Sequence, residues 1–129
     1  KNRRLQDKNL IVILSEAISN QYLELLKKLN ISYLFAGKKE ISLKVALEKL
    51  YDLCSIKKLL LQGGGITNKF FIEEDLIDEL SLVVSPVVSG ESNQPNLFED
   101  CKDYLGNVFD LKQSDLLNKS GLYLKYIRK

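Results

Sequence analysis

Leu10-Ile11-Val12-Ile13-Leu14 is an unbroken apolar run, and behind it Ile18, Tyr22, Leu25, Leu26 and Leu29 recur at helical spacing. A continuous run of strand length suits a strand covered on both faces, and the stripe is that of an amphipathic helix. Ile31-Ser32-Tyr33-Leu34-Phe35-Ala36 reads as a second strand closed by Gly37. Ser42 is the expected N-cap of a second helix with stripe Leu43, Ala46, Leu47, Leu50 and Leu53. Lys58-Leu59-Leu60-Leu61-Gln62 is predicted as a third strand that runs straight into Gly63-Gly64-Gly65. The third glycine then opens a helix from Ile66 to about Asp75, with Phe70 and Phe71 turned inward.

Strand, helix, strand, helix, strand with short connections argues for parallel strands joined by right-handed crossovers in an α/β sheet. After Asp75 the pattern changes. Glu79-Leu80-Ser81-Leu82-Val83-Val84-Ser85 is rich in β-branched and apolar residues, and Pro86 marks a bend or an edge. Ser89 to Asn96 is a loop by composition. Val108–Ser114 and Leu122–Arg128 are two further strand candidates, and the turn chemistry of Asp115 to Gly121 joins them as an antiparallel hairpin. The expectation is a mixed sheet in one domain over residues 1–129.

Composition narrows the class. The 129 residues are 45% hydrophobic and 28% charged with a net charge of +2, the balance of a soluble globular protein. No apolar run approaches the roughly 20 residues of a membrane span, and no secretory signal is visible. A cytoplasmic location is the expectation. Lys1, Arg3, Arg4 and Lys8 cluster at the terminus without interleaved aromatics, which reads as a solvated tail and not as a nucleic-acid surface. The first residue is lysine and there is no methionine, so the chain reads as a fragment, a processed form or part of a longer protein. With no histidine, His-dependent triads and His-based zinc sites are excluded. Cys54 and Cys101 form no C-x-x-C pair and read as buried thiols.

The candidate chemistry sits at the three glycines. Glycine permits positive φ and close approach of a backbone or ligand. A helix that starts there turns unpaired N–H groups and a partial positive charge toward the loop, which suits phosphate. Ligands gather at the carboxyl ends of strands in open α/β sheets. The run is neither G-x-G-x-x-G nor a Walker A loop, so a phosphate site and a tight turn both remain open. Asp78-Glu79 is rejected as an acid/base pair, because neighbours on a strand point to opposite faces. Lys38-Lys39 and Lys57-Lys58 read either as solvated or as partners for a 2′-phosphate.

The stretch Leu59 to Gly90, LLLQGGGITNKFFIEEDLIDELSLVVSPVVSG, resembles the signature of the reductase domain of bifunctional riboflavin-biosynthesis deaminase/reductases. The similarity extends more loosely from about Asn9 to Lys129. Dihydrofolate reductases share the fold and the Gly-Gly turn. The resemblance implies a three-layer α/β/α fold of the dihydrofolate-reductase type. Its mixed sheet has a parallel β-α-β-α-β portion and a C-terminal β-hairpin. It also implies NADPH as hydride donor, a homodimer, and a pyrimidine ribosyl phosphate as substrate, reduced from its ribosyl to its ribityl form. The family's phosphate cradle falls on Gly64, Gly65, Ile66, Thr67 and Asn68, and its serine or threonine near the cofactor falls on Ser15. Ser15 has an equal reading as a helix cap. The family's substrate-touching glutamate is Gln62 here. That amide can bond a sugar hydroxyl or a pyrimidine edge, or satisfy the loop backbone.

The resemblance makes this chain the C-terminal portion of such a domain. The first strands, most substrate contacts and the proton donor of the family precede the point that matches Asn9, so no residue here is assigned as catalytic. The deaminase zinc motif is absent from the sequence. Two further readings stand beside the riboflavin-type reductase. One is a dihydrofolate-reductase-like enzyme on another pterin or pyrimidine, and the other is a non-catalytic module for nucleotide binding or dimerisation.

Overall fold

The computed structural model describes residues 10–88, 90, 94–99, 101, 108–118 and 120–129. The basic cluster Lys1, Arg3, Arg4 and Lys8 and half of the expected 89–96 loop lie outside them. The chain forms two compact units, one ending at Leu60 and one beginning at Leu61.

In the first unit, β1 (Ile11–Leu14) and β2 (Ser32–Phe35) pair in parallel with Ile11 opposite Ser32 and Leu14 opposite Phe35. Between them runs α1 (Asn20–Lys28), and α2 (Leu43–Cys54) follows β2. The strands bury both faces. Ile11, Ile13, Leu34 and Ala36 pack with Val45, Ala46 and Leu50 of α2 and with Ile56. Val12, Leu14, Tyr33 and Phe35 pack with Leu23 and Leu26 of α1. Alternation along each strand therefore sends successive side chains to opposite helices, a layer of helix on either side of the pair.

Local chemistry sets the helix ends. The Ser19 hydroxyl accepts from the Tyr22 N–H at 3.4 Å, and the Ser42 hydroxyl accepts from the Val45 N–H at 3.4 Å. At the end of α1, Asn30 takes the left-handed conformation (φ 53°), and Ile31 N–H reaches the Leu26 carbonyl at 2.9 Å, a Schellman closure. Lys27 and Lys28 complement the negative end of the helix.

The second unit holds α3 (Gly65–Glu73) and an antiparallel sheet in the order β3-β5-β4, where β3 is Glu79–Val84, β4 is Phe109–Leu117 and β5 is Gly121–Arg128. β3 stops just before Ser85-Pro86, as expected. The hairpin is also as expected, but its arms are longer. Asp115, Leu116 and Leu117 pair with Tyr123, Leu122 and Gly121, so the arms close as far as Leu117 and Gly121, with Asn118 left-handed at φ 52°. A register shift between Leu111 and Gln113 marks a bulge in β4. Arg128 ties the last strand to the loop after α3. Its backbone N–H donates to the Asp78 carbonyl, and its guanidinium donates to the Ile77 carbonyl and pairs with Asp75.

Several expectations need correction. Lys58–Gln62 pairs with no strand among the described residues, so the parallel portion is β-α-β-α without its third strand, and the two sheets are separate. An apolar run reports affinity for a core, whereas a strand also needs a partner ladder, and Leu60 is 77% exposed. Leu53, expected in the stripe of α2, is 73% exposed, and Cys54 is exposed beside it. The twelve residues of α2 span about 18 Å, while a four-residue strand spans about 13 Å, so the last helical turn overhangs the sheet. Cys101 is half-buried. Phe70 is also exposed, at 52%, whereas Phe71 is half-buried, and the buried positions of α3 are Gly65 and Ile72.

Candidate functional site

The glycine run forms the entry to α3. Gly64 is the N-cap with extended backbone (φ −71°, ψ 173°) and offers no side-chain bond to the helix. The first helical rung is Asn68 N–H to the Gly64 carbonyl at 3.1 Å. The amides of Gly65, Ile66 and Thr67 precede that rung and have no partner among the described residues. No acidic residue occupies the first turn to compete for the positive end of the helix.

The three glycines are not equivalent, and none of them has the positive φ that Gly37 has. Their requirement for glycine is one of space. A Cβ on Gly63 would lie 2.6 Å from the Thr67 Cβ and 3.1 Å from the Asn68 Oδ1. A Cβ on Gly65 would lie 2.5 Å from the Asn96 carbonyl oxygen and 2.6 Å from the Glu99 Cγ. Gly64, between them, has nothing within 4 Å of its Cβ position. The outer two are closed by the protein's own atoms and the middle one is open.

The segment 96–99 does this closing. Glu99 N–H donates to the Gly65 carbonyl at 3.2 Å, and the Asn68 side-chain amide donates to the Leu97 carbonyl at 2.9 Å. Nothing in the sequence marked this segment as part of the site. It reads as loop, and its partners lie about thirty positions away, with Asn68 and Leu97 separated by 29.

The remaining candidates fall as follows. Gln62 is exposed beside Gly63 and its amide makes no bond among the described residues, so it does not serve the loop backbone there. Ser15 belongs to the first unit, half-buried at the carboxyl end of β1. Its reading as a helix cap is overturned, because Ser19 caps α1. Next to it, Glu16 N–H donates to the Gly37 carbonyl at 2.9 Å. That bond joins the Ser15 corner to the turn at the end of β2. Lys38, Lys39, Lys57 and Lys58 are all exposed. Asp78 and Glu79 do not converge. Glu79 pairs with Lys125 across the β3–β5 ladder at 2.8 Å, a bond that with its charge raises the Lys125 pKa above the ordinary lysine value. A separate open hollow of about 590 Å³ is lined by Val83, Ser85, Pro86, Leu117, Asn118, Ser120 and Gly121 and holds none of the candidate residues. Among the described residues, no helix is long and apolar enough to cross a membrane.

Comparison with known proteins bears on this geometry. A family model described as the RibD C-terminal domain matches residues 3–114. The 2,5-diamino-6-ribosylamino-4(3H)-pyrimidinone 5′-phosphate reductase of Aquifex aeolicus (strain VF5) is 30% identical over 87 residues, 67% of this chain and 38% of that protein. Among solved structures, a pyrimidine reductase-like protein of Corynebacterium diphtheriae matches with a TM-score of 0.75 at 18% identity, over 92% of this chain and 50% of its own. Acinetobacter baumannii RibD (form 1) matches with a TM-score of 0.73 at 23% identity, over 97% of this chain and 33% of its own. The chain thus spans half or less of the length of these relatives. The structural likeness shows the fold, which is the α/β, dihydrofolate-reductase-like one.

Proposed function

The chain belongs to the RibD C-terminal domain family, and from that membership we propose that it forms the cofactor-holding part of an NADPH-dependent pyrimidine reductase of riboflavin biosynthesis. The observation that carries the proposal is Gly64, open between two closed glycines, beside three helix amides, all without a partner among the described residues. A phosphate can approach the main chain at Gly64 without displacing a side chain, and the amides of Gly65, Ile66 and Thr67 supply its donors. The residues present therefore fit a dinucleotide.

When bound, NADPH supplies the hydride that turns the ribosyl C1′ of 5-amino-6-(5-phosphoribosylamino)uracil into the ribityl product. The chain's own residues bind and orient. Gly64, Gly65, Ile66 and Thr67 hold phosphate, with Asn68 at the end of the same turn. The Ser15 hydroxyl, with no partner among the described residues, offers the cofactor a further hydrogen bond. Gln62, exposed before the glycines, is the substrate contact. A homodimer in the cytoplasm completes the reading. The neutral amide of Gln62, where the family carries glutamate, favours as a second reading a dihydrofolate-reductase-like activity on another pyrimidine or pterin.

Titration of the protein with NADPH, followed by nicotinamide fluorescence, tests the proposal. Saturable binding, with oxidation of NADPH on addition of the ribosylaminopyrimidine phosphate, is expected. Absence of binding would overturn the reductase reading. Binding with turnover of only a different pyrimidine or pterin would select the second reading.

A further inference from the structure

We infer that Asn68 is a positioning residue that acts on the glycine turn through the segment Asn96–Glu99; the inference rests on the phosphate-binding reading given under Proposed function. The family resemblance puts Asn68 among the phosphate contacts, but its side-chain amide is engaged elsewhere, donating to the Leu97 carbonyl at 2.9 Å. Its Oδ1 faces the opposite way along the turn, 3.1 Å from the position a Cβ on Gly63 would take. The segment that Asn68 holds reaches Gly65 from the other side. Glu99 N–H bonds the Gly65 carbonyl at 3.2 Å, and the Asn96 carbonyl and Glu99 Cγ fill the space beside the Gly65 Cα.

Two hydrogen bonds, Asn68 to Leu97 and Glu99 to Gly65, tie the segment to the turn, while the side chains of Thr67 and Asn68 close the space beside Gly63. Gly64 lies between these restraints, and among the described residues nothing comes within 4 Å of its Cβ position. Three successive glycines have more backbone freedom than any other tripeptide, and a flexible turn would aim its amides in many directions. Restraint on both flanks leaves the amides of Gly65, Ile66 and Thr67 directed before any ligand arrives. Order already present in the free protein does not have to be created on binding, and affinity rises accordingly.

The test is Asn68→Ala, which removes the donor and keeps a good helix former on α3, so the variant folds. Hydrogen exchange of the amides of residues 63–67 is measured without ligand, together with the urea midpoint and the Kd for NADPH. Faster exchange confined to the turn, an unchanged midpoint, and a Kd raised about tenfold, the size of one net hydrogen bond, are expected. A raised Kd with unchanged exchange would make Asn68 a direct phosphate ligand and overturn the inference. A lowered midpoint with unchanged Kd would reduce it to a structural tie and overturn the inference equally. A wild-type protein that binds no NADPH would overturn the phosphate-binding reading itself, and this inference with it.

Discussion

Glu99 donates its backbone N–H to the carbonyl of Gly65 at 3.2 Å and lays its Cγ 2.6 Å from the place a Cβ on Gly65 would occupy. Two glycines that are adjacent in sequence are thereby set apart in their tolerance of change. Gly65→Ala must push the Asn96 carbonyl and the Glu99 side chain outward, an overpacking cost of about 1–3 kcal/mol. Gly64→Ala meets open space at an ordinary φ and costs at most about 1 kcal/mol, as a poor N-cap. Urea denaturation of both variants decides, and equal midpoints would contradict the assignment of space.

Gly64→Asp separates stability from binding. Aspartate is a favoured N-cap, and it accepts the free amides of the first turn of α3. The folded state should hold or gain about a few tenths of a kcal/mol, because glycine is already a tolerable cap and the helix had no side-chain cap. The same carboxylate takes the donors a phosphate needs and repels its charge, so NADPH binding should be lost. A variant that is at least as stable and still binds NADPH with wild-type affinity would remove the phosphate assignment.

Ser15 and Ser19 make a second matched pair. Ser19→Ala removes the cap of α1 and should cost about 0.5–2 kcal/mol of stability with little change in cofactor affinity. Ser15→Ala caps nothing and should leave the unfolding midpoint within about 0.5 kcal/mol of wild type. Its effect should instead be a several-fold rise in the Kd for NADPH, roughly the worth of one hydrogen bond. The reverse distribution of effects would show that Ser15 is structural.

Gly37 requires glycine for its backbone. Its φ is +119°, and a Cβ there would lie 2.0 Å from the Glu40 carbonyl oxygen. Its neighbours Ala36 and Glu16 are held by bonds from Ser42 N–H to the Ala36 carbonyl and from Glu16 N–H to the Gly37 carbonyl. Gly37→Ala should cost on the order of 1–3 kcal/mol from the backbone alone, and more from the clash. Because the same turn supports the Ser15 corner, it should weaken NADPH binding as well. Thermal unfolding and the fluorescence titration measure the two losses.

The Lys125–Glu79 pair gives a pH dependence with a defined sign. The hydrogen bond that Lys125 donates to Glu79, together with the Glu79 charge, raises the Lys125 pKa above the ordinary 10.5 against the opposing effect of desolvation. A lysine whose folded pKa is raised adds stability that is fully present below its unfolded value and lost as pH rises through the folded one. The difference in urea midpoint between wild type and Lys125→Met should therefore be largest at neutral pH and shrink as pH rises past the ordinary lysine value of 10.5. A difference that stays constant across that range would exclude the pair as its source.

The local features of this protein were legible because each is written within a few residues. Ser42 capped its helix as expected, since a cap needs only the amides three positions on. The apolar run Leu10–Leu14 announced a strand buried on both faces, because alternation with no polar residue leaves no face for water. The glycines before Ile66 announced the start of a helix, and α3 begins there, though without the strand expected ahead of it.

Other outcomes were decided by groups distant along the chain. Lys58–Gln62 has the composition of a strand, but composition does not supply a hydrogen-bonding neighbour, and among the described residues none takes it. Whether Ser15 or Ser19 capped α1 turned on where the helix began, which its packing on β1 and β2 sets. That Gly64 is open while Gly63 and Gly65 are closed follows from Thr67, Asn68, Asn96 and Glu99, some of them thirty positions away. The sequence by itself determined that a glycine turn opens a helix here, because glycine and a helix start are local chemistry. Only the tertiary structure decided which face of that turn is left empty, because occupancy of space depends on every chain segment that arrives there.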